Sequence, residues 1–217
     1  MRRTPLGLAI VILGFLGVVR PAEALTIDFT SKIWAGADGR TSYTAQIGGV
    51  DVTVASLIGK LTFNSNDVDP LCSTTGLACS GDGLGIRDDE VTALTELLSV
   101  SFSAPVSVTG LAFLELFGYP NKSGDPVAEI AMWAVAPSGQ IASVTGTDKT
   151  TTLGYQAVVT NYTNVTALHF FAALPVNSDF SLAAINIKRD VPEPATLLLS
   201  GLGLAYCRMK ARRRRRD

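Results

Sequence analysis

Glu96-Leu97-Leu98-Ser99-Val100-Ser101-Phe102-Ser103 is the stretch that decides the fold. Leu98, Val100 and Phe102 alternate with Ser99, Ser101 and Ser103. A period of two puts the apolar side chains on one face of a strand and the hydroxyls on the other. A helix, with about 3.6 residues per turn, would scatter both sets around its circumference. The alternation recurs in Ile185 and Ile187 against Asn186 and Lys188. Ala104-Pro105 closes the stretch and reads as a turn, because proline has no N–H to give to a ladder.

Working outward, apolar or β-branched runs occupy 25–30, 43–47, 50–55, 60–63, 96–103, 106–117, 127–136, 140–144, 155–160, 167–173 and 180–188. Turn formers punctuate them: Gly48-Gly49, Asn121-Lys122-Ser123-Gly124, Pro137-Ser138-Gly139 and Asn177-Ser178-Asp179. Residues 88–98 admit a helical turn instead of a strand. No internal repeat is visible. Many short strands with frequent turns predict an all-β fold, an antiparallel, jelly-roll-like β-sandwich.

Both ends of the chain differ from this body. Arg2 and Arg3 precede an apolar run at 6–19, and Ala22-Glu23-Ala24 follows as a small-x-small site. These are the parts of a secretory signal peptide, with cleavage after Ala24. At the other end, Pro192-Glu193-Pro194 forces extended backbone. An apolar run at 195–207 follows, then Arg208, Lys210, Arg212, Arg213, Arg214, Arg215 and Arg216. The run predicts a single transmembrane helix. Its thirteen residues span about 20 Å, short of a ~30 Å hydrocarbon core, so it spans only if the bilayer thins or if residues 191–194 and the arginine stems make up the length. The cationic cluster stays cytoplasmic and leaves the body outside. The organisation is then a signal peptide at 1–24, an ectodomain at 25–190 and a sorting signal at 191–217.

Charge is segregated in the same way. Residues 25–190 hold eight Lys or Arg against sixteen Asp or Glu, a net of −8, although the whole chain is only −1. An acidic body argues against a nucleic-acid partner, since phosphate contacts need clustered cations. Cys72 and Cys79 flank a short loop-like stretch and read as a disulfide of an oxidising compartment.

Asp82, Asp88, Asp89 and Glu90 are the candidate metal ligands, four carboxylates in nine residues among Gly81, Gly83 and Gly85. Oxygen donors in a flexible loop suit calcium, although the spacing departs from the EF-hand. Asp67 and Asp69 join only if the fold brings them near. The plain alternative is a solvated acidic loop with no cofactor. Catalysis has little to stand on. His169 is the one histidine and sits in an apolar run, and Gly-x-Ser-x-Gly is absent. Glu115 and Glu129 fall in successive predicted strands and would face each other as a hydrolase's acid pair. Trp34, Trp133, Tyr43, Tyr119, Tyr155 and Tyr162 are available as a sugar-stacking platform, but Trp133 in an apolar run reads as core.

The order Pro-Glu-Pro, short apolar run, arginine stop resembles the PEP-CTERM sorting signal of exported bacterial proteins, a tag also grouped with the ice-binding protein C-terminal domain. The resemblance implies a Gram-negative source and a membrane-embedded exosortase as partner, reading and cutting at Pro192-Glu193-Pro194. The Gly81–Ile86 segment, Asp88-Asp89-Glu90-Val91 and 97–102 look like a pattern of such ectodomains. The resulting expectation is a non-enzymatic surface or matrix protein, structural or adhesive, transiently anchored in the inner membrane. Its partners would be exosortase, the secretion machinery, the membrane and extracellular polysaccharide. Alternatives are a carbohydrate-binding module with a structural calcium, and a secreted hydrolase.

Overall fold

The computed structural model describes residues 24–66, 68–121, 127–173 and 178–189, together with Gly203. Ala24–Asp190 is one compact unit, separate from residues 1–23 and 191–217. Its strands are β1 (Ala24–Asp28), β2 (Ser42–Ile47), β3 (Val50–Ser56), β4 (Leu61–Thr62), β5 (Gly85–Ile86), β6 (Leu98–Leu114), β7 (Ile130–Ala136), β8 (Gln140–Thr145), β9 (Gln156–Ala172) and β10 (Ser181–Arg189). Eight of them form one sheet in the order β1-β10-β6-β9-β7-β8, with β2 and β3 joining through β6; β4 and β5 pair separately. All named pairings are antiparallel. The fold is therefore all-β.

Local chemistry explains the tight connections. Ile47 pairs with Val50, leaving Gly48 and Gly49 as a two-residue turn. Both have positive φ, 56° and 78°, as a hairpin turn that matches strand twist requires. Short 3-10 helices at Lys32–Ala37 and Pro70–Thr75 interrupt the strands. The second starts as its sequence dictates, with Asp69 capping the Leu71 N–H and Pro70 in the first position. Residues 88–97 contain no helix.

The principal correction concerns strand length. Ala104-Pro105 is not a turn, and 96–103 and 106–117 are not separate strands. They belong to the single 17-residue β6. Likewise 155–160 and 167–173 belong to the 17-residue β9. Proline is accommodated because the ladder is broken there. Between Ser101 and Val106 the register with β9 shifts, and Ser103, Ala104 and Pro105 are exposed. At this point β6 also changes neighbour: up to Phe102 it pairs with β3, and from Val106 with β10.

These shifts fold the β6–β9 ribbon over. Leu98 pairs with Phe170 near one end and Phe113 with Gln156 at the other. Fifteen residues of straight strand would separate those pairs by about 50 Å. Yet the Phe113 and Phe170 rings are 6.2 Å apart at their centroids. The two halves of the ribbon therefore meet face to face, with Phe180 (5.3 Å) and Trp133 (5.9 Å) completing the aromatic centre around Phe113. The alternation seen in the sequence sets the inner face: Leu98, Val100, Phe102, Val106 and Val108 are buried.

Candidate functional site

Asp82 is the organising residue. The segment before it is tied to the end of β1, because the Ser80 and Gly81 N–H groups both donate to the Thr30 carbonyl, at 2.9 and 3.1 Å. The Asp82 N–H donates to the Asn64 carbonyl at 3.1 Å. Leu84 exchanges two 3.0 Å backbone bonds with Leu182 on β10. Gly83 takes φ +113° to make the step, and a Cβ on Gly85 would sit 1.9 Å from the Asp89 carbonyl oxygen. Glycine is thus required where this loop crosses its neighbours.

The result is a carboxylate held out of water. Asp82 is only 7 % exposed, and its Oδ1 has no hydrogen-bond partner among the described residues. It lines a cavity of about 330 Å³ with Asp69, Glu115, Thr152, Leu114 and Leu153 among the walls. Glu115 follows β6 with φ +57°, and its Oε2 lies 2.7 Å from the Ser181 hydroxyl. The same hydroxyl is 2.7 Å from the Asp89 carbonyl oxygen. Asp69 closes the rim, accepting the Leu71 N–H at 2.7 Å and the Thr152 hydroxyl. Burial pushes the Asp82 carboxyl up to about 7, and the charges of Glu115 and Asp89 add to the effect; backbone hydrogen bonds at Asp82 and Asn64 pull the other way.

Of the four expected loop ligands, only Asp82 lines the cavity. The Asp89 carboxylate accepts from Asn64 Nδ2 at 2.9 Å. Asp88 acts on a different group, Glu96. Burial raises the Glu96 carboxyl; the Thr92 N–H opposes that, Asp88 adds to it and Arg87 opposes it. Glu90 uses its carbonyl to receive the Ile86 N–H at 2.8 Å. Among the described residues no three Asp, Glu, His or Cys side chains gather as metal ligands, so Asp82, Asp88, Asp89 and Glu90 do not form one cage. The tight turn, with positive φ at Arg87 and Asp89, sends them in different directions. Sequence reasoning did not pair Glu115 with Asp82, nor did it find Ser181 or Thr152. No local signal links positions so far apart in the chain.

The other candidates are placed as follows. Cys72 and Cys79 form a disulfide with Cα atoms 5.9 Å apart. Its loop is pinned by Asp28, whose Oδ2 accepts the Ala78 N–H at 2.7 Å, and by Thr30 Oγ1, which accepts the Cys79 N–H at 2.9 Å. Glu115 and Glu129 lie just outside β6 and β7, and their carboxylates meet different groups: Glu115 Oε2 meets the Ser181 hydroxyl, whereas Glu129 meets the backbone of Phe117. Glu129 is 1 % exposed and accepts the Phe117 N–H, a structural clamp. His169 sits in a cross-strand pair with Ser99 on the sheet, Nδ1 to Oγ 2.9 Å. Trp34 and Trp133 are buried, so neither serves a sugar platform; of the tyrosines named, Tyr119 is the exposed one. Ala24 heads β1, paired with Lys188. Ala22, Pro192, Glu193, Pro194 and the basic residues 208–216 lie outside the described residues, as does the apolar run at 195–207 apart from Gly203. Among the described residues no helix is long and apolar enough to cross a membrane.

Comparison with known proteins identifies one region. Residues 190–216 match the family described as the PEP-CTERM protein-sorting motif. The motif marks an exosortase-sorted protein exported through the membrane to the cell surface. No curated protein and no solved structure matches the chain.

Proposed function

We propose that this chain is a structural or adhesive protein of the surface or extracellular matrix of a Gram-negative bacterium, with no turnover chemistry of its own. The observation that carries the reading is the sorting motif at 190–216. In this reading residues 1–24 are removed as a signal peptide, the run at 195–207 anchors the chain transiently, and exosortase cuts at Pro192-Glu193-Pro194. The β-domain is a jelly-roll-like sandwich whose business is contact, with extracellular polysaccharide as partner. The doubled-over β6–β9 ribbon supports the sandwich. The assignment of His169 to a sheet pair and Glu129 to a backbone clamp supports a domain without acid–base machinery.

Mass spectrometry of the protein recovered from its host tests the proposal. The expected product starts at Leu25 and ends near Pro192-Glu193-Pro194, and it keeps its tail in a strain lacking exosortase. A product intact through Asp217 in the presence of active exosortase overturns the reading.

A further inference from the structure

We propose that the open edge of β8 is a pairing surface for a second copy of this chain, the two β8 strands lying antiparallel across a two-fold axis. β8 (Gln140–Thr145) ends the sheet and pairs with β7 alone. Just past it, the Gly146 N–H donates to the Glu129 carbonyl at 2.9 Å. Bonding alternates along an antiparallel ladder, so Val144 and Ala142 also exchange their bonds with β7. The N–H and C=O groups of Ile141, Ser143 and Thr145 therefore point away from β7, and among the described residues no backbone bond meets them there. What satisfies a row of strand donors and acceptors is another strand.

Charge says whose strand it is. Exposed edges are ordinarily protected by charged side chains. Yet from 130 to 178 the only Asp, Glu, Lys or Arg are Asp148 and Lys149, although 25–190 holds eight basic and sixteen acidic residues. The edge strands β1 and β2 differ: β1 ends on Asp28 and sets Ala24 against Lys188, and β2 sets Gln46 against Asp51. Two bodies of net −8 repel each other except through neutral surface, and the β7–β8 hairpin supplies it. The side chains are self-complementary as well. With outward bonds at 141, 143 and 145, the register centred on Ser143 sets Ser143 against its own copy, Ile141 against Thr145 and Ala142 against Val144. Ala142 and Val144, half-buried at the margin of the core, would cover each other, and Ile141, 59 % exposed, would lie at the seam. Six residues make about 20 Å of strand. Such an interface is small, and the pairing is correspondingly weak.

The test is analytical ultracentrifugation of the full-length chain in mild detergent, between about 1 and 100 μM. The parent should pass from monomer to dimer across that range. Ser143→Lys sets two like charges face to face at the axis and should weaken the dimer about tenfold or more. Ser143→Glu should do the same, and an equal mixture of S143K and S143E should restore the dimer as a mixed pair. Ser143 is exposed, so neither change disturbs the core. Val159→Lys is the control: Val159 is 93 % exposed on the half of β9 that β7 does not reach, and V159K should dimerise as the parent does. A parent that stays monomeric overturns the proposal. So does a dimer that S143K leaves intact, which would place the contact elsewhere, the run at 195–207 included. Failure of the mixture to pair, or loss of the dimer in V159K, overturns it too. The outcome is independent of the sorting reading.

Discussion

Replacing Asp82 by Asn should stabilise the protein, by an amount that depends on pH in a defined direction. The folded state holds the carboxyl at about 7, against an ordinary 3.8. A raised pKa means that the folded protein binds this proton more tightly than the unfolded chain. The contribution is fully present below about pH 3.8 and is lost as pH rises through about 7. The full shift of about three units corresponds to about 4 kcal/mol at ~1.36 kcal/mol per unit. Water reaching the open cavity screens the neighbouring charges, and about 2 kcal/mol is the reasonable expectation. Asparagine is neutral throughout, so the two proteins should be nearly equal at about pH 4 and should diverge up to about pH 8.

Urea denaturation, at intervals across that window, measures the difference. At about 2 kcal/mol per molar urea, the D82N midpoint at about pH 8 should lie roughly 1 M above the parent's. A difference that does not change with pH would show that Asp82 is not a buried, strained carboxylate. D82N less stable at pH 8 would show that its charge is already compensated within the fold.

Two further substitutions probe the scaffold. Phe113→Ala removes the ring that meets Trp133, Phe170 and Phe180; it should cost about 3–5 kcal/mol by denaturation, since both halves of the ribbon lose a shared contact. Cys72→Ser opens a loop closed across a sequence separation of seven residues; it should cost about 2 kcal/mol, and limited proteolysis should find its first new cut within that loop.

Much of the fold could be read locally. Gly48-Gly49 between β-branched runs specifies its hairpin, and the Ser/apolar alternation of 98–103 specifies which face is buried. The errors arose where a local signal met a long-range remedy. Pro105 reads as a strand end, and it is tolerated inside β6 only because β3, β9 and β10 exchange partners around it. Asn164, at φ +56°, does the same for β9. Trp133 was recognisable as core from its apolar neighbours. The 3-10 helix at Pro70–Thr75 was recognisable in principle, since Asp69-Pro70 is a helix start. The cavity was not legible. Its walls come from segments near 69, 82, 115 and 152, and Asp82 and Glu115 are joined only by the closing of β6 onto β10. Spacing within one loop proposed Asp88 and Glu90 instead, and turn geometry, which spacing cannot carry, separated them.

That same pairing gives the domain a direction. Ala24 at the start of β1 lies opposite Lys188 near the end of β10, so the chain enters and leaves the domain side by side. Ser181, at the beginning of β10, touches Glu115 in the cavity wall. Eight residue steps of strand separate Ser181 from Arg189, about 26 Å. The cavity and the attachment of the sorting segment therefore occupy opposite ends of one strand. The sorting motif at 190–216 follows from the exit end. A charge change at Asp82 acts at the cavity end of β10, away from the pairing of Ala24 with Lys188. Asp82→Asn should therefore leave processing at the sorting motif unchanged in the host, which mass spectrometry of the recovered chain checks.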